Sequence, residues 1–169
     1  MSRLPGGGRR SSRPWMLVAA LLGGAARIAA GVLWLEEGIL KYRAGFGSAD
    51  ILLVAHGTAG NSRAPFYFRP LGSVMQALPG LFGVAIPLLE VSLGVLLVLG
   101  LGRVLTLLAA LGSIGTLMLY WSSDQLIAQY PVLVALSAAV LVLPGAERFG
   151  ALWVWRRVRA RRGAAVRTA

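Results

Sequence analysis

Arg27 and Glu90 are charged residues inside stretches that otherwise read as membrane-spanning, Trp15–Leu40 and Phe82–Leu101. A charge at bilayer mid-depth costs about 3 kcal/mol on insertion scales, so it persists there when paired or functional. Each lies about halfway along its stretch, which predicts similar depth and direct contact. Two chemistries suit such a pair. It fixes helix register, because removing either partner strands the other charge. Or it walls a polar cavity in which Arg27 donates to a quinone carbonyl or an anion, and the two roles can coexist.

A second group gathers where the spans meet the outer surface: Glu36, Glu37, Lys41 and Asp124, with His56 folding over them. Acid, base and donor at a membrane edge suit proton-coupled quinone chemistry, which needs proton exchange beside an apolar slot. The plainer reading is that outer loops are polar and their side chains reach for water. A lone His on a short helix is read as interfacial. Trp34 is read first as core packing and second as a stacking platform for a quinone ring. One histidine and scattered carboxylates fall below what a transition-metal site requires, so no metal is expected.

These residues need helices to position them. Taking Arg27 as zero on a helical wheel, Gly31, Trp34, Gly38 and Lys41 all fall within about 40°. Small and polar residues on one face of a span belong toward its neighbours. The spacing predicts spans at about 16–41, 82–101, 104–121 and 126–143, within a transmembrane domain over 15–148. Residues 1–14 form a basic tail, expected to be disordered and cytoplasmic. Residues 149–169, with Trp153 and Trp155 followed by arginines, form a basic amphipathic tail at the cytoplasmic surface. The long connection from Tyr42 to Gly80 should be extracytoplasmic. It holds an apolar segment at Ser48–Thr58 with Ser48 as N-cap, an aromatic-basic patch at Ala64–Pro70, and a second short helix at Leu71–Leu78. The expected fold is therefore all-α: an integral membrane four-helix bundle with a long extracytoplasmic loop carrying short interfacial helices.

Composition agrees. Of 169 residues, 57% are hydrophobic, in blocks rather than stripes, and mean hydropathy is +0.72. The net charge of +11 comes from arginines concentrated before the first span and after the last, with Arg103 in the turn between. Four crossings put these on one side, which places both termini in the cytoplasm and the protein in the inner (plasma) membrane. The tails then touch anionic membrane lipid, and nucleic acid is not expected as a partner. The chain has no cysteine, so it cannot form a disulfide, a thiol relay or an iron–sulfur cluster. Electrons passing here must be carried by a quinone or a partner.

Three strings resemble the DoxX/DoxD-like membrane protein family. They are Arg27 through Lys41, Glu90 through Arg103, and Leu143-Pro144-Gly145-Ala146-Glu147-Arg148-Phe149-Gly150. Trp34 and the Pro65-Phe66-Tyr67-Phe68 segment resemble the DoxD-type branch. The resemblance implies a four-helix membrane bundle and association with thiosulfate:quinone oxidoreductase, with another membrane or periplasmic redox subunit as partner. It implies no catalytic residue. The expected function is a membrane subunit of a quinone-linked oxidoreductase, with Arg27, Trp34, Glu37, Lys41 and Glu90 shaping a quinone or anion pocket. The competing class is a non-enzymatic scaffold or accessory subunit that docks a redox partner.

Overall fold

The computed structural model describes residues 12–125 and 127–167. Most of the basic tail expected over 1–14, the Leu126 start of the expected fourth span, and the last two residues lie outside these. Seven helices follow in order: α1 Ser12–Ala44, α2 Ser48–Thr58, α3 Phe68–Ala77, α4 Pro79–Leu99, α5 Arg103–Ser122, α6 Tyr130–Val142 and α7 Ala151–Arg167. Among the described residues there is no strand, so the chain is all-helical.

Among the described residues, three helices, α1, α4 and α5, are long and apolar enough to cross a membrane. Their large apolar side chains face outward: Leu22, Val84 and Leu108 are each more than half exposed, while Arg27, Glu90, Ser113 and Ser137 are buried. Apolar outside and polar inside suits lipid as the surrounding solvent. Helix α6 is apolar but has 13 residues, about 20 Å of rise.

Helix α1 is the spine. It packs along α4 on one side and α6 on the other, and α5 closes against both. The α1–α4 contact is a backbone approach made possible by glycine. A Cβ on Gly94 would lie 2.8 Å from the Gly31 carbonyl oxygen and 2.8 Å from the Leu35 amide nitrogen. One on Gly38 would lie 3.0 Å from the Val91 nitrogen. No side chain fits at either position without parting the helices.

These contacts also set the register. Gly31 meets Gly94 and Val98, and Gly38 meets Pro87 and Val91, so the helices run antiparallel. Helix α1 has 33 residues against 21 in α4, and its N-terminal part overhangs the C-terminal end of its partner. Residue 27 therefore stands level with the end of α4, and residue 90 stands level with Glu37.

In the connection between α1 and α4, α2 starts at the expected Ser48, but its N-cap is Gly47 rather than Ser48. The Gly47 amide donates to Asp50 Oδ2 at 2.9 Å, a carboxylate satisfying a free donor at a helix start. Helix α3 starts inside the aromatic patch, earlier than Leu71, because Phe68 is drawn inward. Phe68, Ile51, Ala55 and Met75 form a second small core, packed against Phe82 and Ile86 of α4. Helix α7 carries Arg157 stacked over Trp153 at 4.3 Å and Arg159 over Trp155 at 5.2 Å.

Candidate functional site

Glu37 and Lys41 lie one turn apart near the end of α1, on the face that α4 covers. Lys41 Nζ donates to Glu37 Oε2 at 3.3 Å and to Glu90 Oε1 at 2.6 Å. Tyr120, near the end of α5, donates its hydroxyl to the same Glu90 Oε1 at 2.5 Å. Glu90 is completely buried, and its Oε2 has no hydrogen-bond partner among the described residues. One lysine thus faces two carboxylates in an apolar setting, where charges persist only when paired and hydrogen-bonded.

Aromatic rings hold the cluster in place. Lys41 Nζ lies 5.4 Å from the centre of the Tyr120 ring and 5.9 Å from that of Phe46. Tyr120 meets Trp34 edge-on, with centroids 6.3 Å apart, and Tyr130 of α6 at 5.5 Å. Trp34 is fully buried and donates Nε1–H to Ser113 Oγ at 2.7 Å; Ser113 in turn lies 2.8 Å from Ser137 Oγ. Trp34 thereby joins α1, α5 and α6 through one hydrogen-bonded chain, and its indole is enclosed rather than presented to a cavity.

Beside the cluster, under α2 and α3, is a cavity of about 220 Å³. Its walls are almost wholly apolar, with Phe46, Phe68, Phe82 and Ile86 prominent, and its polar groups include Lys41, Tyr120 and Tyr130. Apolar walls with a few convergent polar groups are the usual form of a small-molecule site. A second pocket of about 300 Å³ is lined by Asp50 and Asp124 and shares Phe46, Val54, Ser123 and Gln125 with the cavity. The cavity thus adjoins a more polar pocket at Asp50 and Asp124.

Arg27 is not part of this site and does not meet Glu90. Its Nε–H donates to the Ala146 carbonyl at 3.1 Å, and Nη1 donates to the carbonyls of Leu97 and Val98, the latter at 2.7 Å. Gly100, with φ +56°, ends α4 and brings its backbone against the guanidinium, where a Cβ would collide. Arg27 is buried at the carbonyl end of α4. There it satisfies groups the helix leaves open and meets the negative end of its dipole. Being halfway along its own helix does not put a residue halfway along a shorter partner.

The expected outer group divides as well. Glu37 and Lys41 join the cluster, whereas Glu36 and His56 are exposed and Asp124 accepts from Asn61 Nδ2 at 3.3 Å at the loop surface. Tyr120, Ser113 and Ser137 were not singled out by the sequence. A tyrosine near a span end reads as an interfacial anchor. The serines' positions inside apolar helices were the signal for a buried network. Among the described residues, no group of His, Asp or Glu could hold a metal ion. Compared with family models, with curated proteins and with solved structures, the chain finds no match in any of the three.

Proposed function

We propose that this chain is the membrane subunit of a quinone-linked oxidoreductase of the DoxX/DoxD-like kind. The quinone ring would enter the cavity beside Lys41 and Tyr120. One observation carries the reading: an apolar cavity whose polar wall includes an ammonium and a phenol, both anchored on a fully buried carboxylate. A quinone asks for such a place, with flat apolar walls for its ring and tail and a donor for its carbonyl. Lys41 has three N–H donors, two of them engaged with Glu37 and Glu90, so one is left for an occupant. Glu37, Glu90 and Trp34 then hold the donors in place, and Arg27 acts on the bundle's inner end rather than on the ligand. A reductant of the thiosulfate class would deliver electrons through a partner at the outer loops.

In this reading α6, with its flanking residues, makes a fourth and shorter crossing, and both termini face the cytoplasm of a cell whose plasma membrane holds the protein. The clustered arginines of the two ends support that orientation. Tags at the two termini should both be shielded from an outside protease in intact cells, and exposure of either one overturns the four-crossing model. Protein purified from native membranes should retain quinone, and Lys41→Gln should lose about tenfold or more in quinone affinity, the value of one charge-assisted hydrogen bond. Wild-type protein that neither retains quinone nor binds an added short-chain ubiquinone sinks the quinone reading and leaves the accessory scaffold.

A further inference from the structure

Glu37, Lys41 and Glu90 carry two negative charges and one positive charge when all are ionised. A net charge at that depth is opposed by the surrounding helices and lipid, and a single added proton removes it. Glu90 is the place for that proton. It is fully buried whereas Glu37 keeps some contact with its surroundings, and Glu90 Oε1 accepts both available hydrogen bonds while Oε2 accepts none. A protonated Oε2 leaves no carboxylate charge without a partner there. Among the described residues, the ionisable groups facing Glu90 are Glu37 and Lys41 from α1 and Tyr120 from α5, with Tyr130 of α6 behind Tyr120. The nearby core formed by α2 and α3 is apolar.

We infer that this cluster holds one exchangeable proton on Glu90 and delivers it through Lys41 to an oxygen of the molecule in the cavity. The inference rests on the quinone reading for the identity of that molecule. The step moves a proton and no electron. A Lys41 N–H bond breaks as an O–H bond forms on the oxygen of a reduced quinone, its quinolate. The Glu90 carboxyl then turns its O–H toward Lys41 Nζ, which lies 2.6 Å from Oε1, and that bond breaks as Lys41 regains its proton, leaving Glu90 as the carboxylate. One proton from the outer aqueous side restores the starting state, and the outer pocket that shares walls with the cavity lies on that route.

Infrared spectroscopy of the full chain in lipid vesicles tests this. At neutral pH the wild type should show the C=O stretch of a protonated carboxyl, shifting in D2O, lost in Glu90→Gln and kept in Glu37→Gln. Tyr120→Phe, which leaves the carboxyl in place, should shift the same band by removing a hydrogen bond, so the assignment survives if Glu90→Gln fails to fold. Absence of the band in wild type, or its survival in folded Glu90→Gln, overturns the proton's placement. With a short-chain ubiquinone bound and reduced electrochemically, time-resolved spectra should show the band diminish and then recover in wild type as the outside proton arrives, and stay unchanged in Lys41→Gln at saturating quinone. A band that ignores reduction of bound quinone overturns the transfer. If ubiquinone does not bind at all, the quinone reading fails with the transfer, while the band without ligand still decides whether Glu90 holds the proton.

Discussion

Lys41→Met should destabilise the protein by about 3–5 kcal/mol, because it leaves the Glu37 carboxylate in the bundle without its cation and takes from the buried Glu90 the hydrogen bond that Lys41 donates. The methionine keeps most of the apolar stem, so the loss reports the ammonium. Its hydrogen bond of 2.6 Å to Glu90 and its second partner, Glu37, leave no other cation among the described residues to replace it. Unfolding in mixed detergent micelles is the suitable measurement, because stability then reads out in the membrane-like state. The double variant Lys41→Met with Glu90→Gln should cost less than the two single variants summed, with a coupling above about 1 kcal/mol for residues in direct contact. The corresponding cycle between Arg27 and Glu90 should be additive within about 0.5 kcal/mol, as expected for distant sites. Strong coupling between Arg27 and Glu90 would contradict the register described for α1 and α4.

Arg27→Met should cost about 3 kcal/mol or more, through a different cause. Its guanidinium satisfies three backbone carbonyls, Leu97, Val98 and Ala146, and a buried acceptor left alone costs about 1–3 kcal/mol. Arg27→Lys keeps the charge but not the planar fork that reaches two chain segments at once, so it should recover only part of the loss. The damage should be local. Amide exchange should rise around Gly100 and in the Pro144–Gly150 turn, both held by this side chain, while the Glu90 cluster keeps its protection. Unchanged exchange at those two turns in Arg27→Met would remove the case for Arg27 as the clasp between the end of α4 and the Ala146 turn.

These two residues show where sequence reading worked and where it stopped. Helical spacing placed Arg27, Gly31, Trp34, Gly38 and Lys41 on one face of α1, and that face is the one α4 and its neighbours cover. Nothing local to either segment sets how far two helices slide past each other. That depends on which small residues allow the closest approach, and here Gly31 on Gly94 and Gly38 on Val91 place Arg27 at the rim and Glu90 beside Lys41. Tyr120 escaped notice for a related reason: its partner is 30 residues away in sequence, on another helix.

By itself the sequence determined the all-helical class, the apolar exterior, the existence of buried charges and the short helix at Ser48–Thr58. Each follows from residue type and from periodicities of a few residues, which act within one element. Only the tertiary structure decided that the two conspicuous charges part company. One donates to the backbone carbonyls at a helix end, and the other anchors a lysine and a tyrosine beside an apolar cavity. Pairing in a membrane is decided by depth and facing direction together, and both arise only when helices of unequal length lock into one register.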